Sequence, residues 1–273
     1  MRVLPVQEAA ATAPCRNKMK FSIIIPTLNE EENIGRCLKS IIKVQNCCTK
    51  NPFEIIIVDG ASKDKTINIA EELVFGGEPG LDFITNFKII KSNFPNLPLQ
   101  LNEGVRNSTG ETLIFLHADN ILPKKVFEKI NNLFSGNSTK KNGKYIGGAF
   151  SLLLEGKRFF YMLGSFFGNL YSYITKIYFG DRMIFVKRTA FLKLGGFKNI
   201  PIMSDVDFSI RMKTFGKTKL LLGPTLTSSR GIAGDPFWKR AYLILWALHS
   251  YKKGLDPGII KEKYYKGYSR EKY

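Results

Sequence analysis

The chain has 273 residues and carries 41 Lys and Arg against 23 Asp and Glu, a formal net charge of +18. Hydrophobic residues at 44% and charged residues at 23% exclude wholesale disorder and supply enough apolar side chains for a proper core. No apolar run is long and unbroken enough for a membrane-spanning helix, and the basic surplus calls for an anionic partner: nucleic acid, a phosphorylated small molecule or a membrane surface.

In chain order, residues 1–18 are rich in Ala and Pro, lack an apolar signal core and precede Met19, so they are expected to form a flexible extension of a cytoplasmic protein. Lys20–Pro26 is a short apolar run closed by proline, the pattern of a strand buried on both faces. Asn29–Val44 places Ile34, Leu38, Ile41 and Ile42 at helical spacing, with Asn29 as N-cap and three Glu in the first turn. Phe53–Gly60 reads as a second strand, Asp64–Leu73 as a helix and Phe87–Lys91 as a third strand. Asn102–Ser108 reads as a short helix and Thr112–Leu116 as a fourth strand. Such alternation predicts βαβ units in an α/β fold, with a mostly parallel central sheet flanked by helices.

After Asp119 the rhythm changes. Pro123–Phe134 is predicted as a helix, 135–144 as a polar loop, Tyr145–Leu154 as a strand and Arg158–Ile177 as an aromatic-rich helix. Met183–Val186 is a short strand, followed by helices at Thr189–Leu194 and Asp205–Thr214. The last predicted helix, Phe237–Lys253, has Asp235 as N-cap and Pro236 at its first position. No linker or repeat divides the chain, so 19–235 is expected to be one domain with the basic helical segment 236–273 packed on it. Cys15, Cys37, Cys47 and Cys48 have no metal-binding spacing and are expected as thiols in a reducing compartment.

In an open α/β sheet, ligands bind at the carboxyl ends of the strands. Those ends read Pro26-Thr27-Leu28-Asn29-Glu30, Asp59-Gly60-Ala61-Ser62-Lys63-Asp64 and His117-Ala118-Asp119-Asn120. One such cluster is an ordinary turn; three at equivalent edges predict a polar crevice.

The ordered segments 22–31, 56–64 and 116–119 resemble family 2 glycosyltransferases of the GT-A (nucleotide-diphospho-sugar transferase) fold, over roughly residues 20–235. The resemblance implies a nucleotide-sugar donor held by Pro26, Thr27, Asn29, Glu30, Asp59, Gly60, Ser62, Gln100, Asn102, Ala118, Asp119, Asp181 and Arg230. It implies Asp119 as ligand of a divalent metal, Mn²⁺ or Mg²⁺, at the second position of the family's metal motif. His117 stands where the first carboxylate is usual, and its ordinary reading is a core or edge histidine. Gly180–Arg188 and Leu194–Phe197 resemble the arsenosugar-biosynthesis-type subgroup, in which His at that position also occurs. Pro201–Phe208 is similar to the segment carrying the catalytic base, which makes Asp205 the general base of an inverting transfer. The bland reading of Asp205 is a helix cap.

Two other functions fit parts of this pattern. A nucleic-acid-binding protein fits the charge, but its Lys and Arg would be clustered, whereas these are dispersed and the strand ends are acidic. A sugar-phosphate nucleotidyltransferase shares the sheet, but it would want a Gly-rich basic loop where Pro26–Asn29 stands. The acceptor is left open: small molecule, glycan or lipid-linked. Two apolar stretches, 159–179 and 237–248, are expected to pack on the sheet, with peripheral contact to an anionic membrane as the other reading.

Overall fold

The computed structural model describes residues 20–46, 52–76, 86–93, 95–135, 145–156, 159–228 and 237–266. The first half runs β1 (Phe21–Thr27), α1 (Ile34–Asn46), β2 (Phe53–Asp59), α2 (Thr66–Phe75), β3 (Phe87–Lys91), α3 (Leu97–Arg106) and β4 (Thr112–Phe115). The second half adds β5 (Asn120–Ile121), α4 (Val126–Ser135), β6 (Tyr145–Leu154), α5 (Phe159–Thr175), β7 (Ile184–Lys187) and α6 (Arg188–Lys193). It closes with α7 (Ser204–Phe215), β8 (Lys217–Thr227), α8 (Phe237–Lys252) and α9 (Pro257–Lys266).

The strands form one sheet in the order β3-β2-β1-β4-β7-β6-β8-β5. Four of its seven pairings are parallel and three antiparallel, so the sheet is mixed. Successive side chains of β1 face opposite layers. Phe21, Ile23 and Ile25 pack with Ile34, Leu38 and Ile41 of α1 and Phe127 of α4. Ile24 joins Leu101 and Val105 of α3 and the aromatic group Phe191, Phe197 and Phe208 on the other side. Burial on both faces explains the unbroken apolar run, each large side chain contributing about 1.5–3 kcal/mol. At Gly104, α3 lies so close to β1 that a Cβ would sit 2.4 Å from Ile24 Cγ2.

Several boundaries differ from expectation for local reasons. β1 continues through Pro26 to Thr27, because β4 pairs only with Phe21–Ile24 and no neighbour needs an N–H from residue 26. α1 begins at Ile34, and the Asn29 side chain instead accepts from the Lys63 N–H (2.9 Å). α3 begins at Leu97 rather than Asn102. Asn96 caps it by accepting from the Leu99 N–H (3.0 Å), and Pro98 sits in the first turn, where its missing N–H costs nothing. β5 and β8 have no counterpart in the predicted elements, and α9 falls within the segment 236–273 expected to be helical. The predicted extension 1–18, the 135–144 loop past Ser135 and the Asp235–Pro236 cap lie outside the described residues.

The C-terminal helices pack on the end of α7. Ala247, Leu248 and Ile260 bury against Ile177, Met203 and Val206, and the Tyr251 hydroxyl donates to Asp207 Oδ1 (2.8 Å). Asp207 also receives Lys198 Nζ (2.9 Å) and Arg211 Nε (2.6 Å). Burial pushes its carboxyl up, but these three donors outweigh burial and hold it below the usual range.

Candidate active site

The carboxyl ends of β1 and β2 meet because the register sets Thr27 opposite Asp59. Thr27 Oγ1 donates to Asp59 Oδ1 (3.0 Å), and the Ser62 N–H and hydroxyl donate to the same carboxylate (2.9 and 2.5 Å). Ser62 Oγ in turn accepts from the Asn29 N–H (2.9 Å). The two strand-end loops are thus tied into one unit. Asn29 and Ala61 hold positive φ values of 52° and 65°, the kind of local cost that persists where a site is held in shape.

Gln100 reaches this junction from α3 and donates its amide to the carbonyls of Thr27 (3.0 Å) and Val58 (2.8 Å). A Cβ on Gly60 would lie 3.0 Å from that amide nitrogen, so a side chain there would displace the clamp. Pro26, Thr27, Leu28, Glu30, Leu97, Gln100, His117, Ala118 and Asp119 line one crevice. Six of the thirteen predicted donor residues therefore share it. Four others adjoin it through contacts: Asp59 is bonded to the lining Thr27, Ser62 links Asp59 to the exposed Asn29, and Gly60 abuts the Gln100 amide. Asn102 has both amide atoms engaged by the Phe197 backbone (2.8 and 3.0 Å) and fastens α3 to the loop before α7. Arg230 lies outside the described residues.

On the far side of His117 comes a second acidic group. Asp205 sits in the first turn of α7, where Met203, not Asp205, occupies the N-cap position. Asp205 Oδ2 accepts from the Gly180 N–H (2.6 Å) and Oδ1 from the Val206 N–H (2.8 Å). Burial pushes its carboxyl up, opposed by those two N–H groups and by His117. A Cβ on Gly180 would lie 2.9 Å from His117 Nε2 and 3.6 Å from Asp205 Oδ2, so the three residues close on one another. Gly180→Ala is expected to destabilise the fold by about 1–3 kcal/mol and to displace His117. Urea denaturation checks it; an unchanged midpoint would mean that Gly180 has room for a methyl group beside His117.

Asp181 follows Gly180, and its Oδ1 is sealed from solvent without a hydrogen-bond partner. Burial raises its proton affinity; Arg182 and His117 oppose this, and the like charges of Asp205 and Asp119 add to it. Cys37, buried beneath, donates its thiol to the His117 carbonyl, and burial together with Asp119 and Glu30 pushes that thiol up. Asn120 holds the frame: its amide donates to the Asp181 carbonyl (2.9 Å) and accepts from Thr227 Oγ1 (3.0 Å). Sequence reading left Asn120 without a role. Its partners lie 61 and 107 residues away, so only its place behind His117-Ala118-Asp119 hinted at it.

Among the described residues no three His, Cys, Asp or Glu side chains converge as a closed metal cage. An open pair of carboxylates still fits a hard cation of the Mg²⁺ or Mn²⁺ type, which takes one or two carboxylates and completes its sphere with phosphate oxygens and water. Asp119 lines the crevice, and Asp181 is close enough for the Asp119 charge to raise its proton affinity, so these two are the carboxylates that could hold such an ion. This makes a stability prediction. Because Asp181 has a raised folded pKa, its neutral form suits the fold, and stability is lost as pH rises through that value. Asp181→Asn is therefore expected to match the wild type near pH 3.5 and to exceed it in thermal midpoint at neutral pH, about where the carboxylate is fully ionised. Added Mn²⁺ should narrow the gap. Equal midpoints at both pH values would contradict a raised pKa.

Residues 22–194 match the family described as glycosyl transferase family 2. The chain belongs to that family. Within it, the domain is 34% identical over 128 residues to a Methanococcus voltae dolichyl N-acetyl-alpha-D-glucosaminyl phosphate 3-beta-D-2,3-diacetamido-2,3-dideoxy-beta-D-glucuronosyltransferase, covering 47% of this chain and 37% of that one. It is 30% identical over 129 residues to the poly(ribitol-phosphate) beta-N-acetylglucosaminyltransferase TarP of Staphylococcus aureus, covering 46% and 36%. The matches thus span little more than a third of these relatives' lengths. The family 2 domain also shares its fold with a mannosyltransferase from Pyrobaculum calidifontis in complex with GDP-Man and Mn²⁺, at TM-score 0.60 and 19% identity, covering 92% of this chain and 70% of that one. The GT-A architecture is therefore shown.

Proposed function

We propose that this chain transfers a sugar from a nucleoside-diphosphate donor to a hydroxyl acceptor, with inversion at the anomeric carbon. The observation that carries this is the concentration of carboxylates at the strand ends of a chain of net charge +18. Glu30 and Asp119 line the crevice, with Asp59 bonded to the lining Thr27 and Asp181 and Asp205 beyond His117. Acidic groups in that place repel a bare phosphate and suit one that arrives with a cation. Thr27, Asn29, Glu30 and Asp59 form the nucleoside end. Asp119 and Asp181 would hold the divalent ion, which when bound supplies charge neutralisation for the departing diphosphate. The complexes of the solved relative with GDP-Man and Mn²⁺ support this reading by analogy of fold.

Asp205 acts as general base. Its raised proton affinity fits a carboxylate that accepts a proton from a hydroxyl as the oxygen attacks the sugar. The Gly180 and Val206 N–H groups fix both oxygens and leave their remaining lone pairs for the acceptor. The oxygen forms its bond to the anomeric carbon as the bond to the diphosphate breaks, and the proton passes to Asp205. With one carboxylate in this role, a single displacement results.

Turnover of a UDP-, GDP- and dTDP-sugar panel with Mn²⁺ or Mg²⁺ tests the proposal. Transfer or slow hydrolysis of one donor is expected, with an NMR-resolved product anomer opposite to that of the donor. Retention of configuration would overturn the single displacement.

A further inference from the structure

The helix α5 is built the wrong way round for a soluble surface. Its buried positions are Ser165 and Ser172, while Phe166, Phe167, Met162, Leu170, Tyr173 and Ile174 are between 43% and 67% exposed. On a helical wheel those six side chains fall on one broad face opposite the two serines. An ordinary surface helix turns such a face toward the core.

The polar inner face has a physical cause. Among the described residues, β7 pairs with β6 only over Gly147–Ala149, and no strand flanks the far end of β6 on that side. α5 fills the gap with side chains. Asn169 exchanges two hydrogen bonds with the Leu152 backbone (both 2.9 Å), and Ser165 Oγ accepts from the Leu154 N–H (3.0 Å). Asn169 also receives a guanidinium N–H of the buried Arg182. Covering a sheet edge thus demands Ser and Asn inside. Nothing in that task demands phenylalanine outside, where burial in water's absence is worth about 1.5–3 kcal/mol per side chain.

Charge decides what covers this face. At the carboxyl end of α5, Lys176 lies over the Tyr173 ring (4.4 Å), and Lys213 donates to the Thr175 carbonyl (2.9 Å). Lys219 joins them, and burial together with these two neighbouring cations lowers the Lys176 pKa. A second copy of a +18 chain would bring like charge to like charge. An anionic surface would relieve it. Aromatic and aliphatic side chains flanked by lysines are the composition of helices that lie in the interface of anionic bilayers. No helix among the described residues is long and apolar enough to cross a membrane, so the helix would lie on the surface rather than span it.

We propose that the outer face of α5, with Lys176, Lys213 and Lys219 at its rim, docks the protein on an anionic bilayer surface. The inference does not depend on the transfer chemistry. The test is co-sedimentation of the full chain with phosphatidylcholine vesicles with and without phosphatidylglycerol. Binding to the anionic vesicles is expected, released by high salt as exposed charges are screened. Phe166→Ser/Phe167→Ser/Ile174→Ser should weaken it by about a hundredfold or more, and Lys213→Gln/Lys219→Gln by about tenfold. Circular dichroism confirms that the variants are folded, which is expected because the altered side chains are exposed. Failure of the wild type to bind anionic vesicles would overturn the proposal, as would unaltered binding by the folded triple variant. A wild-type dimer in the absence of vesicles, lost in the triple variant, would assign the face to a second copy instead.

Discussion

Asp205→Asn is expected to lower kcat by about 10²–10⁴-fold, the range that a positioned general base contributes. Nucleotide affinity should stay within about twofold of wild type, since the loss belongs to the chemical step and not to donor binding. The substitution keeps the shape but not the chemistry. An asparagine can accept from only one of the Gly180 and Val206 N–H groups, so a stability cost of about 1–3 kcal/mol accompanies it. Assays well below the thermal midpoint separate the two effects. The pH profile is a second check. Because burial raises the folded pKa of Asp205, the acidic limb of kcat should fall as pH drops through a value above the usual carboxylate range. Full activity in Asp205→Asn would remove it from the mechanism and leave it as a tie between α7 and Gly180.

Asp119→Asn is expected to abolish the metal-dependent part of donor binding. Losing only an outer hydrogen-bond partner of a metal ligand costs about 10–100-fold in affinity, so losing a ligand carboxylate should exceed that. The Asp119 backbone supports the fold independently, its carbonyl accepting from the Ser228 N–H (3.2 Å), so the variant should stay folded. Its contrast with Asp181→Asn is informative. Both should weaken binding in Mn²⁺, but only Asp181→Asn removes the charge of a carboxylate whose proton affinity burial raises, and so raises apo stability at neutral pH. Unchanged nucleotide affinity in Asp119→Asn, measured by calorimetry with and without EDTA, would contradict its assignment.

Much of this was legible in the sequence where the physics is local. Alternating apolar runs and amphipathic helices marked the first half, and the polar residues following β1, β2 and β4 marked the crevice. What escaped depends on distant partners. β8 lies next to β6 in the sheet, and its register brings Thr227 to Asn120 across 107 residues. The predicted helix at Asn102–Ser108 started late, because Asn96 caps it and Pro98 fits its first turn, while Asn29 read as a cap although its side chain serves Lys63. Asn102 shows the limit of motif transfer: its amide is committed to Phe197. The inversion of α5 was invisible for the same reason. Whether an apolar stripe faces in or out depends on the β6 edge that its Ser and Asn must satisfy.

On this reading of the crevice, a nucleoside diphosphate enters it together with a divalent cation. Isothermal titration of UDP and GDP into the protein, with Mn²⁺ and then with excess EDTA, measures that coupling. Saturable binding of at least one nucleotide in Mn²⁺, weakened at least about tenfold by EDTA, is the expected result. Binding of neither nucleotide under either condition, alongside salt-sensitive binding of duplex DNA, would contradict it.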